Sequence, residues 1–169
     1  MKKNLILTGM MGVGKSTIGK ILSKSLSMQF VDIDRVIEKN LNTTIQKIFE
    51  TKGEVFFREL EEETTLREVT KKNIIISLGG GAFMNPKIRE QIFLSSKSFW
   101  LDLDIDSIEA RIKSLKKRPL LNTHNVKDTL KKIYLERKKT YGLANYKINC
   151  NKLNAEIIAD KIIKLYANN

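Results

Sequence analysis

One stretch constrains this chain more than any other: Gly9-Met10-Met11-Gly12-Val13-Gly14-Lys15-Ser16, which follows the apolar run Asn4–Thr8 and precedes Ile18, Ile21, Leu22 and Leu26 at helical spacing. It matches G-x-x-x-x-G-K-[ST] in the setting that pattern requires, a strand running into a loop that opens a helix. Glycines let such a loop curl until its N–H groups, with the positive end of the helix, surround phosphate oxygens. Residues 9–17 are expected to bind a nucleoside triphosphate through Gly12, Val13, Gly14, Lys15, Ser16 and Thr17. Lys15 would reach the β and γ oxygens, and the Ser16 hydroxyl is placed to ligate Mg²⁺. A plain glycine-rich turn is the competing reading, disfavoured by the full pattern and its flanks.

Further apolar runs at 29–33, 73–78, 98–103 and 146–149 alternate with helical patterns. Such alternation predicts an α/β fold with three layers, a five-stranded parallel sheet between helices, because parallel neighbours need crossover connections. Thr43-Thr44-Ile45-Gln46 has capping-box spacing, Asn85-Pro86 is a helix start, Asn154 a candidate N-cap, and Gly53 is expected to interrupt the helix around it. With 169 residues and 41% hydrophobic composition, one core and one domain over 1–169 are expected. No apolar run approaches the length of a membrane span, and no cleavage-site pattern follows the basic N-terminus. Cys150, the sole cysteine, permits no intrachain disulfide, and the cytoplasm is the expected compartment. The net charge of +12 is carried largely by lysines on amphipathic helical patterns without interleaved aromatics. A solvated helix surface explains them better than a nucleic-acid stripe, so neither nucleic acid nor membrane is expected as a partner.

Ligands of a parallel α/β sheet sit at the strands' C-terminal ends, which directs attention to Asp32, Asp34 and the run Gly79-Gly80-Gly81. Read as the end of an extended strand, Asp32 and Asp34 point to the same side. One carboxylate could hold Mg²⁺ through water while the other orients an acceptor hydroxyl, or both could be ordinary loop acids or a helix cap. Three glycines at a strand end allow a ligand close to the backbone, although a flexible turn has the same composition. No D-x-x-G is present and Asn151-Lys152-Leu153-Asn154 lacks a final aspartate, which disfavours GTP.

Taken together, the glycine-rich loop, Asp32-x-Asp34, Phe57-Arg58-x-x-Glu61, Gly79-Gly80-Gly81, Arg118-Pro119-Leu120-Leu121 and Glu136-Arg137 ahead of Tyr141 closely resemble shikimate kinase. The resemblance runs nearly end to end and implies a P-loop small-molecule kinase with a nucleoside monophosphate kinase-like fold. It implies ATP and shikimate as partners, Mg²⁺ as cofactor, and transfer of the γ-phosphoryl group to the 3-hydroxyl of shikimate; a monomer is expected. It assigns the substrate carboxylate to Arg58 and Arg137, ring hydroxyls to Asp34, and close ring approach to Gly79, Gly80 and Gly81, within an acceptor region of about 32–62. It makes Lys15, Asp34 and Arg118 the catalytic set, with Arg118 on a mobile lid at about 112–125, and stacks Arg111 on adenine. No proline stands at 151–154, where the family often frames adenine with one. A kinase for gluconate or a nucleotide, a nucleic-acid-binding P-loop protein and a catalytically silent module are the competing readings. Cys150, Trp100 and His124 receive no role.

Overall fold

Leu5, Ile6 and Leu7 of β1 (Asn4–Thr8) and Ile74, Ile75 and Ile76 of β3 (Ile74–Ser77) are all fully buried, as continuous apolar runs must be when a strand is covered on both faces. Each such side chain contributes about 1.5–3 kcal/mol relative to exposure. The computed structural model describes residues 3–113 and 125–167. Together with β2 (Gln29–Asp32), β4 (Ser96–Asp102) and β5 (Tyr146–Asn149), these strands form one parallel five-stranded sheet in the order β2-β3-β1-β4-β5. β1 is central, flanked by β3 (Leu5 opposite Ile75) and β4 (Leu7 opposite Phe99), while β2 and β5 are edges with exposed positions.

Helices cover both faces: α1 (Lys15–Leu26), α2 (Ile33–Leu41), α3 (Ile45–Val69), α4 (Pro86–Ser95), α5 (Ile105–Lys113), α6 (Val126–Tyr141) and α7 (Ala155–Ala167). α1 packs beside α7, and α4 lies against β4 and beside α3. Asn85 caps α4 through Lys87 N at 2.9 Å and Ile88 N at 3.3 Å, and Asn154 accepts from Ile157 N at 2.9 Å, as the sequence predicts. Gly53 breaks α3 at φ 82°, ψ 173°. No helix among the described residues is long and apolar enough to cross a membrane.

Two expectations are corrected. The second strand stops at Asp32, whose carboxylate accepts from Arg35 N at 3.4 Å and starts α2, so Asp34 lies in a first helical turn and not in extended backbone. The N-cap of α3 is Thr44, bonded to Lys47 N at 3.2 Å, rather than Thr43; Gln46 turns instead to Glu50 at 2.9 Å.

Candidate active site

The loop after β1 runs so close to β4 that a Cβ on Gly9 would lie 2.5 Å from the Leu101 carbonyl oxygen, and its φ of +135° already excludes most side chains. Gly14, at φ 99°, ends the loop as the N-cap of α1, whose first turn carries no acidic side chain to occupy its positive end. Lys15 folds back over the loop and donates to the carbonyls of Gly9 and Met10, each at 2.9 Å. Arg111 reaches from α5 to the opposite side, donating to Val13 O at 3.1 Å and Gly12 O at 3.4 Å. Residues 12–17 and Arg111 line a cavity of about 630 Å³, together with Leu153, Asn154 and Ala155 before and at the start of α7. None of these three is given a ligand role from sequence, where Asn154 is a candidate N-cap and 151–154 lacks both a guanine-reading aspartate and the family's proline.

Asp32 and Asp34 both reach this cavity although helical backbone separates them. Ser16 Oγ donates to Asp32 Oδ2, so a hydroxyl and a carboxylate meet beside the loop. Asp34 also lines a second cavity of about 340 Å³, with Gly79, Gly80, Gly81, Arg58 and Arg137. The structure thus gathers every acceptor-side residue named from sequence. Arg118, His124 and nearly all of the 112–125 segment lie outside the described residues.

The second cavity is lined by both charged and apolar side chains. Arg58 donates from Nη1 to Glu61 Oε2 at 2.7 Å, and from Nη2 and Nε to Glu54 Oε1 at 3.0 and 3.2 Å. Glu61, only 2% exposed, went unassigned in sequence; its i+3 spacing from Arg58 was the available signal. Burial pushes its carboxyl pKa up, against the opposing pull of Arg58 and Arg137. A Cβ on Gly79 would collide with Glu61 Oε1 and stand 2.8 Å from Asp34 Oδ1; one on Gly81 would lie 2.5 Å from Arg58 Nη1. Two of the three glycines therefore make room for the chain's own charged side chains, and Gly80 is the one whose missing side chain leaves space. The apolar lining includes Phe49 and Phe57, brought from either side of the Gly53 break to a ring separation of 4.8 Å, with the Arg58 guanidinium 5.3 Å over the Phe57 ring and Met11 and Ile45 also lining the cavity.

Asp34 and Gly80 are common to the two cavities. A glycine-rich loop opening a helix in one cavity and a pair of guanidiniums in the other are the kind of pairing that suits transfer between two anions. The family model described as "Shikimate kinase" matches residues 11–167. This chain belongs to the shikimate kinase family. It is 39% identical over 160 residues to a shikimate kinase of Bartonella henselae, covering 95% of this chain and 76% of that protein. It is 40% identical over 161 residues to a shikimate kinase of a Sulfurihydrogenibium species, covering 95% and 96%. The fold superposes on the shikimate kinase from Acinetobacter baumannii in complex with shikimate with a TM-score of 0.95, at 32% identity and covering 98% of this chain and 93% of that one. In shikimate kinase terms the parallel five-stranded sheet expected from sequence is borne out.

Proposed function

We propose that this chain transfers the γ-phosphoryl group of ATP to the 3-hydroxyl of shikimate, a step toward chorismate and the aromatic amino acids, working as one kinase domain. The reading is carried by one observation, the meeting of the loop-lined cavity and the arginine-lined cavity at Asp34 and Gly80. The larger cavity takes the triphosphate, with the N–H groups of residues 12–17 on its oxygens and Lys15 moving from the Gly9 and Met10 carbonyls to the β and γ phosphates. Arg111 and residues 153–155 lie at the nucleoside end.

In the smaller cavity Arg58 and Arg137 grip the shikimate carboxylate with paired hydrogen bonds, and the carbocycle lies between Gly80 and the wall of Phe49 and Phe57. That wall suits a ring with C–H faces better than the open polyol chain of gluconate. Asp34, at the junction, orients the acceptor hydroxyl toward the phosphate. For a loose, metaphosphate-like transition state, positioning and cations outweigh deprotonation, so Lys15 contributes more to the rate than the basicity of Asp34. Arg118 adds a further cation by the family resemblance.

Mg²⁺ fits Ser16 and Asp32: their directly bonded hydroxyl and carboxylate are hard oxygen donors beside the phosphate loop. Among the described residues no group of three or more His, Cys, Asp or Glu could hold a metal, which fits an ion held mainly by substrate phosphates and water. When bound, Mg²⁺ would offset charge on the β and γ oxygens.

ADP release by the purified protein with ATP and Mg²⁺ tests the reading, with shikimate, gluconate, nucleoside monophosphates or no acceptor added. Stimulation by shikimate alone, with shikimate 3-phosphate detected by mass, is expected. Stimulation by gluconate or a nucleotide in its place would overturn the acceptor assignment.

A further inference from the structure

α6 presents Arg137 and, one turn later, Tyr141, and both donate to one atom: Arg137 Nη1 stands 3.0 Å and the Tyr141 hydroxyl 2.5 Å from the Gly80 carbonyl oxygen. The tyrosine is fully buried, and its ring stacks on Trp100 at a centroid separation of 5.9 Å. Trp100 is held in turn by Lys147 Nζ, 4.5 Å from its ring and 2.9 Å from Asp102 Oδ2. The hydroxyl is thus a donor on a fixed support, and burial raises its pKa despite the nearby Arg137 and Arg58 cations, keeping it protonated.

Gly80 needs such a support. With no side chain at 80 to restrict its backbone and no tight packing around it, the direction of its carbonyl leans on the hydrogen bonds it accepts. The Gly80–Gly81 peptide is trans, so a carbonyl held toward α6 turns the Gly81 N–H away from α6. Arg137 cannot serve this carbonyl and an incoming carboxylate equally well. If its Nη1 leaves for the ligand, a second donor must remain, because an unsatisfied buried carbonyl costs about 1–3 kcal/mol.

We infer that Tyr141 is a positioning residue for the acceptor: its hydroxyl holds the Gly80 carbonyl and thereby releases Arg137 to bind the acceptor's carboxylate. This rests on the assignment of Arg137 and Gly80 to the shikimate side.

Steady-state kinetics of Tyr141→Phe, which removes the hydroxyl and keeps the stacked ring, test the inference. The KM for shikimate is expected to rise about fivefold to tenfold, the loss of one net hydrogen bond, with the KM for ATP within about twofold of the parent. Trp100→Phe, measured alongside, is expected to lower the melting temperature while leaving the shikimate KM within about twofold, separating packing from the hydroxyl. An unchanged shikimate KM in Tyr141→Phe, or equal rises in both substrates' KM values, would overturn the inference. Turnover of shikimate by the parent protein in the same assay keeps the functional reading standing whatever Tyr141→Phe does. A parent that ignores shikimate removes that reading and the inference with it.

Discussion

Glu61 joins burial to charge more tightly than any other carboxylate in the acceptor cavity. Its Oε2 accepts from Arg58 while Oε1 is buried without a hydrogen-bond partner among the described residues, so burial withdraws the carboxylate from water faster than protein donors replace it. That imbalance explains why its pKa lies above the ordinary 4.5 despite two nearby arginines. A carboxyl with a higher pKa folded than unfolded binds more protons when folded, between the two values. Its contribution to stability is complete below the unfolded pKa and is lost as pH rises through the folded one. Glu61→Gln keeps an oxygen for Arg58 Nη1 and carries no charge, so it should gain on the parent as pH rises above 4.5. Thermal melts of both proteins between about pH 4 and about pH 8 should show the variant's relative melting temperature climbing. A constant difference across that range would mean that folding leaves the Glu61 pKa unshifted.

At the scale of elements, α3 sets the shape of the acceptor cavity through its break. Gly53 sits at φ 82° with nothing within 4 Å of a Cβ placed on it, so the glycine is needed for conformation and not for space. Gly53→Ala should cost about 1–2 kcal/mol from strain alone. By shifting Phe49 relative to Phe57 it should also raise the KM for shikimate more than that for ATP. Denaturant midpoints and the two KM values check this, and an alanine variant of full stability would remove the strain argument. The break itself was legible, since glycine amid strong helix formers admits few other readings. So was the end of β1, because its apolar run stops there at Gly9. The true setting of Asp34 was not: D-x-D after an apolar run reads as strand, and only the Asp32 side chain taking the Arg35 N–H turns the backbone into α2. Nor could spacing reveal that the space at Gly79 and Gly81 is filled by Glu61, Asp34 and Arg58, which is a matter of packing between α2, α3 and the loop after β3.

Across the whole molecule, the strand order divides the labour. The β2 and β3 side of the sheet, with α2 and α3, supplies Asp34, Arg58, Glu61 and the three glycines; β1 and the β4 and β5 side, with α1, α5 and α7, supply the phosphate loop, Arg111 and residues 153–155. The two cavities share Asp34 and Gly80, with α6 reaching across through Arg137 and Tyr141 to the latter. Sequence order hides this partition, because β1 comes first and stands in the middle. Separate cavities imply separable energetics. Arg58→Ala should raise the KM for shikimate by roughly 10- to 150-fold, the worth of hydrogen bonds to a charged partner, and leave the KM for ATP near its parent value. Arg111→Ala should do the reverse, raising the ATP KM by roughly tenfold. Since neither guanidinium lines the other's cavity, the losses in the double variant should add in free energy to within about 0.5 kcal/mol. Single-turnover rates and kcat/KM values for the four proteins close the cycle. A coupling well beyond that margin would mean that the junction at Asp34 and Gly80 transmits strain between the cavities, so that binding on one side remodels the other.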